Sequence, residues 1–403
     1  MRKLHILAML SGFVIFASSH LSAQPGSQIP SDLFFSTSSE GGLSAPLDTL
    51  VRVDSQTLQP APFFVDKKSS IRAVSWSSQT QLLAILRNRH KEEVEICVID
   101  RSGQLQTCFE DTISQYALGE LAQDYTVTWS TDEQRVYFIA EHNRILRLVE
   151  GDVLTGKTLR IVYQLPQTYG EVPPHIHWTP SLDSVAIYQG RYPYISDYSE
   201  LIEIRRVTLV DLQSGRETEL NTHIPELGYL SFCEGFSPSG DYLVARVYID
   251  EYLPDFIAAN PILSALVVVG KGGRLVSTID LGQLSQYELN WAHCPAWQAQ
   301  EDSFYFLAGS WDNDPATVDK TSIFRYSLLS NELMELKRFG PETGPGFPSD
   351  PLIPSPDGTS IAFQFKDASG MSEIAVLLLG GDILRFNEPY SRGAYPLWIP
   401  RLE

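Results

Sequence analysis

Positive charge is scarce in this sequence. Lys and Arg number 30 against 49 Asp and Glu, a formal net charge of -19, and no stretch interleaves basic with aromatic residues. Such a field repels phosphate backbones and anionic lipid, which argues against a nucleic-acid partner. Long apolar runs are missing apart from one near the start, and that one is shorter than the roughly 20 residues a spanning helix needs. No membrane span is expected in the mature chain. The local signatures of common catalysis are also missing: no Gly-x-Ser-x-Gly, no His-Glu-x-x-His, no glycine-rich phosphate loop and no regular Asp-x-Asp-x-Asp-Gly calcium loop. Trp311-Asp312-Asn313-Asp314 gathers oxygen ligands, yet without the glycine and distal glutamate it reads as an Asx-rich turn. No catalytic residue and no cofactor is assigned from the sequence.

The apolar run belongs to a separate segment. Arg2-Lys3 precedes Leu4 to about Ala17, and a polar stretch ends in Leu21-Ser22-Ala23. Residues 1–23 therefore read as a cleaved secretory signal peptide, which puts the mature chain, 24–403, in the periplasm or outside the cell. Apolar residues at 43% suffice for a large core, and 25 Pro with 27 Gly suit a fold of short strands and turns.

What is present in abundance is repetition. Five of the seven tryptophans end an apolar strand and are followed by a short polar turn into a second apolar strand. Val74-Ser75-Trp76 leads through Ser77–Gln81 into Leu82-Leu83-Ala84-Ile85, and Val127-Thr128-Trp129 through Ser130–Gln134 into Arg135-Val136-Tyr137-Phe138. Trp178, Phe236-Ser237-Pro238-Ser239-Gly240, Trp297 and Pro354-Ser355-Pro356-Asp357-Gly358 begin further copies. A last copy, Pro396-Leu397-Trp398, stops almost at the chain end, and its missing strands lie at the other end in Leu33–Thr37 and Thr49–Asp54. Starts at 76, 129, 178, 236, 297, 354 and 398 approach the period of roughly 40 to 50 residues expected for propeller blades. The expectation is an all-β fold: one domain, a seven-bladed β-propeller of four-stranded blades, closed by N- and C-terminal strands in one composite blade, with six or eight blades if the seam is misread.

Ser-Pro-Asp-Gly at 355–358 and Ser-Pro-Ser-Gly at 237–240 resemble the WD40-like (PD40) repeat of the TolB type, and the resemblance covers nearly all the mature chain. It implies a propeller used in envelope assemblies. The turns at 77–81, 130–134 and 298–302 lack the Pro-Asp-Gly core, and too few residues precede the first full repeat to form the separate N-terminal domain of that family, so the TolB role does not carry over. The propeller of prolyl oligopeptidases is similar as well, but here no hydrolase domain follows it.

Cysteines form two pairs. A hairpin through Asp100-Arg101-Ser102-Gly103 sets Cys97 opposite Cys108, and an oxidising compartment favours a disulfide between them. Cys233 and Cys294 each precede the repeat aromatic by three residues, as His175 precedes Trp178, and His293 adjoins Cys294. These four residues are the only candidates for a metal site, and small residues filling a tapering ring are the simpler explanation, since no local chelating motif is present.

With strands a to d running from the channel outward, the a–b and c–d turns share one face and the b–c and d–a connections the other. Three consecutive b–c connections read as long: 189–200 with Tyr192, Tyr194 and Tyr198, 249–261 with Asp250, Tyr252 and Phe256, and 309–320 with Trp311 and Asp312. A crescent of aromatics and acids on one face suits a protein or peptide partner, one with basic residues if charge decides, because loops on a rigid scaffold carry function and Tyr and Trp carry interface energy. The leading expectation is a binding scaffold without enzymatic activity of its own. The alternative is a small-ligand sensor or an enzyme at the channel mouth, metal-dependent if the His and Cys candidates meet there. Oligomeric state is not legible.

Overall fold

The computed structural model describes residues 28–38, 46–88, 93–114, 127–165, 175–179, 184–191, 203–220, 223–224, 228–247, 265–270, 274–279, 281–289, 291–298, 300, 302–311, 318–340, 343–345, 352–366, 372–386 and 393–399. Each repeat phrase opens a four-stranded antiparallel blade, its strands hydrogen-bonded in chain order. Blade 1 comprises Ser70–Ser77, Leu82–Asn88, Glu93–Asp100 and Leu105–Cys108, and blade 2 runs from Val127–Trp129 to Thr158–Gln164. Blades 3 to 6 begin at His175–Thr179, Gly228–Phe236, Trp291–Trp297 and Ile353–Pro354. Blade 7 is composite: Gly393–Ile399 from the C-terminal end pairs with Asp32–Thr37, which is followed outward by Thr49–Val53 and Pro60–Val65. The seven blades form a seven-bladed β-propeller, and Leu33 stands opposite Trp398 at the seam.

Apolar contacts between blade faces close the ring. One cluster joins blades 7 and 1 through Phe34, Leu50, Ile85 and Ile399. A second runs through blades 1, 2 and 3, and others link 3 with 4, 4 with 5, 5 with 6 and 6 with 7. The middle strands are thus covered on both faces, which is why Leu83–Leu86 or Phe304–Leu307 are unbroken apolar runs instead of alternating ones.

Three repeated contacts explain the repeated residues. The serine after the strand-a aromatic holds the a–b turn: the Ser237, Ser355 and Ser130 hydroxyls accept from the backbone N–H five residues on, at 3.0–3.1 Å. The strand-a tryptophan ties its blade to the preceding one. Trp297 Nε1 donates to Gly235 O at 2.7 Å and Trp398 Nε1 to Ile353 O at 2.8 Å. The c–d turn opens with an Asp whose carboxylate accepts from the turn backbone at Asp54, Asp100, Asp152 and Asp211. In blades 1 to 3 that turn ends in a glycine with positive φ seated on the outer strand of the blade before. A Cβ on Gly103 would stand 2.2 Å from Phe63 O, and one on Gly215 2.8 Å from Val162 O.

The a–b turns without Pro-Asp-Gly are held otherwise. Glu133 occupies the position that Gly240 and Gly358 fill in their turns, at φ 51°. Its carboxylate reaches back to the blade 1 turn, accepting from Gln79 N at 2.6 Å and Ser78 Oγ at 3.1 Å.

Candidate functional site

The two faces of the ring differ. On one, every described a–b and c–d turn is tight, as in 78–81, 237–241, 101–104 and 328–331. The b–c connections on the other face span 192–202 in blade 3 and 248–264 in blade 4. In blade 5 the strands extend further than the sequence suggests. Trp311 pairs with Val318 at the end of strand b, so the connection shrinks to 312–317. Blade 7 adds a long b–c connection at 38–48 that the repeat phrases did not reveal. Tyr192, Tyr194, Tyr198, Asp250, Tyr252, Phe256 and Asp312 lie outside the described residues, and Trp311 is described in its backbone alone.

On the innermost strands, backbone register separates residues that the sequence offset grouped. His175 pairs with Tyr188 and His293 with Leu307, in each case three rungs from the rung of Trp178 or Trp297. The two histidines therefore occupy equivalent ladder positions, in blades 3 and 5. Cys233 and Cys294 do not share that rung. The ladder shifts between Ser231 and Gly235 and between His293 and Ala296, so each cysteine falls within a bulge. Extra residues in a bulge offset the strand from its neighbour, which is why equal spacing from the aromatic fails to give equal position. The four side chains lie outside the description.

Cys97 and Cys108 are disulfide-bonded and stand opposite each other on strands c and d of blade 1. Glu95 lies close enough to suggest a three-ligand cluster with them, but sulfurs bonded to each other are not thiolate ligands.

A feature that no motif announced lies between blades 2 and 3 on the tight-turn face. A cavity of about 500 Å³ is lined by Ser130, Asp132, Arg135, Tyr137, Arg160 and Leu212, among others. Behind it Glu150, 1% exposed, is gripped by Arg135 on one oxygen and Arg160 on the other. Arg160 also donates to Leu212 O at 2.8 Å, fixing it to the next blade. Burial, together with the charge of Glu150, pushes the Tyr137 phenol up from its ordinary pKa. The lining comes from strands b and d of blade 2 and from two turns, so only the fold brings it together.

Among the described residues no helix is long and apolar enough to cross a membrane. No protein-family model matches the chain, and no curated protein does. Solved structures do. An oligogalacturonate lyase in complex with manganese is 14% identical with a TM-score of 0.53, over 89% of this chain and 85% of that one. A putative 6-phosphogluconolactonase from Bacteroides fragilis is 11% identical with a TM-score of 0.50, over 92% and 96%. The tricorn protease is 12% identical with a TM-score of 0.51, over 92% of this chain and 36% of that much longer one. At these identities the likeness establishes the propeller fold and carries no activity with it.

Proposed function

We propose that this chain is an exported scaffold of the TolB-type WD40-like repeat kind, and that it docks a protein or peptide with basic residues on its long-connection face. The observation that carries the reading is the asymmetry of the ring: tight turns on one face, and the connections 192–202 and 248–264 in neighbouring blades on the other. Those connections hold Tyr192, Tyr194, Tyr198, Tyr252 and Phe256 beside Asp197, Asp250, Glu251 and Asp255. Aromatic residues interspersed with acids along these connections suit a basic partner, and the net charge of -19 steers one toward the ring.

The test uses residues 24–403 as bait for crosslinking in the cell-envelope extract, beside a triple variant with Tyr192, Tyr194 and Tyr252 replaced by Ala. A partner held by the parent and lost by a variant of unchanged melting temperature supports the docking face. A fall of many degrees in the variant assigns these tyrosines to the core and refutes it. N-terminal sequencing of the exported protein should begin near residue 24.

A second reading, a small-ligand sensor or enzyme at the channel mouth, is favoured by one observation, the shared ladder position of His175 and His293. Metal analysis of untagged protein decides it: a stoichiometry near one supports a site there, and one far below removes it.

A further inference from the structure

We infer that the cavity between blades 2 and 3 is a binding site for a small oxyanion, a carboxylate or phosphate group, held by the outward edges of Arg135 and Arg160. It lies on the face opposite the proposed docking surface and does not depend on it.

The argument begins with donor capacity. A guanidinium carries five N–H donors. Arg160 uses Nε on Glu150 and one Nη2 hydrogen on Leu212 O, and Arg135 uses Nη1 on Glu150. Arg160 also reaches the Tyr137 hydroxyl, and Arg135 has only its Nη1 engaged among the hydrogen bonds of the described residues; the two side chains, 47% and 40% exposed, border the cavity. Glu150 has committed both oxygens and lies beneath them. It acts as a fixed buried counter-charge that orients two cations while neutralising one.

Comparison within the ring distinguishes this from a structural ion pair. In blade 7 the equivalent positions hold Asp32 and Arg52: Arg52 pairs with Asp32 and, at 3.7 Å, with Asp54, and the second Asp32 oxygen accepts from Ser55 N at 2.9 Å. That arrangement is closed. Blade 2 reverses the charges and adds a second arginine from its outer strand, so Glu150 answers two guanidiniums whose outer edges border the cavity. Three further carboxylates stand nearby, Asp132, Asp211 and, beside Arg135, Asp152. The first accepts from Ser130 Oγ and Gln134 N, the second from Ser214 N and Oγ. With Glu150 they outnumber the two guanidiniums, so the long-range field does not draw an anion in and recognition rests on contact hydrogen bonds from two guanidinium edges, the geometry that suits planar or tetrahedral oxyanions. A cavity of about 500 Å³ admits a small organic acid or phosphate ester.

Calorimetric titration of the 24–403 protein with inorganic phosphate, lactate and neutral glycerol, at matched ionic strength, tests this. Saturable binding of phosphate, lactate or both is expected, with glycerol silent, and the anion that binds identifies the class of ligand. Arg135→Gln keeps the Arg160–Glu150 pair and should weaken binding about tenfold or more, as expected for a lost charge-assisted bond. Glu150→Gln removes the competing carboxylate and should strengthen it. No saturable heat with either anion, or affinity unchanged in Arg135→Gln with the fold intact, would overturn the proposal.

Discussion

Replacing individual strand-a tryptophans by phenylalanine separates the hydrogen bond between blades from simple ring packing. Trp297 stacks on Tyr242 at 6.0 Å and tilts against Phe304 at 5.4 Å while its Nε1 donates to Gly235 O at 2.7 Å. Trp398 donates likewise to Ile353 O at 2.8 Å. Trp129 occupies the same repeat position, but its buried Nε1 has no partner among the described residues. Phenylalanine keeps a ring in all three places and loses about 40 Å² of apolar contact, roughly 1 kcal/mol at the usual coefficient. At 297 and 398 it also removes a hydrogen bond between blades, about 1 to 2 kcal/mol more. The expected losses are therefore about 2 to 3 kcal/mol for Trp297→Phe and Trp398→Phe and about 1 for Trp129→Phe. Urea unfolding with a common slope m reads the differences directly from the midpoints. Equal losses at all three positions would refute the claim that the indole N–H, and not ring volume alone, selects tryptophan in this repeat.

Gly103→Ala should destabilise by about 2 kcal/mol or more, because its φ of 80° is adverse for alanine and the new Cβ would meet Phe63 O at 2.2 Å. Gly380→Ala, with open space around it, is the matched control and should change the midpoint little. The c–d turn carboxylates supply a pH dependence. Hydrogen bonds from Thr57, Ser102, Thr155 and Ser214 hold Asp54, Asp100, Asp152 and Asp211 below their ordinary pKa. A depressed carboxyl contributes stability that is present above the unfolded value of about 3.8 and lost as pH falls through the folded one. Stability should thus fall below about pH 4, and the fourfold Asp→Asn variant should show a shallower fall. A variant curve parallel to the parent would count against these turns as the source.

Much of the fold was legible because each blade must meet two neighbours in the same way. That demand puts the same residue at the same place: a tryptophan to reach the previous blade, a serine to hold the turn, and apolar strands covered on both sides. The closing phrase around Trp398 and the early strand at Leu33 could be matched for the same reason. Register was less legible. Bulges in blades 1, 4 and 5 shift the inner strand by a residue or two, and nothing in the phrases around Cys233 or Cys294 marks them. The Asp and Gly of a c–d turn were visible in Asp100-Arg101-Ser102-Gly103, but such turns are common and gain meaning only when the glycine is seen against the blade before. The cavity had no sequence signal, since Arg135, Glu150, Arg160 and Leu212 come from three strands and a turn.

The comparison of equivalent positions explains how a repeat fold acquires a site without disturbing the ring. On the rungs beside the c–d turn, strand b and strand c carry Asp32 with Arg52, Arg135 with Glu150, and Ser303 with Arg325, whose Nε lies 3.2 Å from Ser303 Oγ. In blades 1 and 6 the same places hold Leu82 with Val98 and Ser360 with Val376, with no charge to pair. The position accepts acid, base, hydroxyl or hydrocarbon because it sits at the end of the ladder, where a long side chain reaches water. A buried charge here needs one partner to be tolerated. Blade 2 supplies two to Glu150, and an excess of this kind is more than stability requires. Arg135→Leu, which leaves Glu150 with Arg160 as its one arginine, as Asp32 has Arg52, should therefore shift the unfolding midpoint little. Arg160→Leu should cost more, because it also breaks the bond to Leu212 O and with it a tie between blades. Chemical unfolding of the two variants decides the point, and a larger loss for Arg135→Leu would show that both arginines are needed to hold the ring.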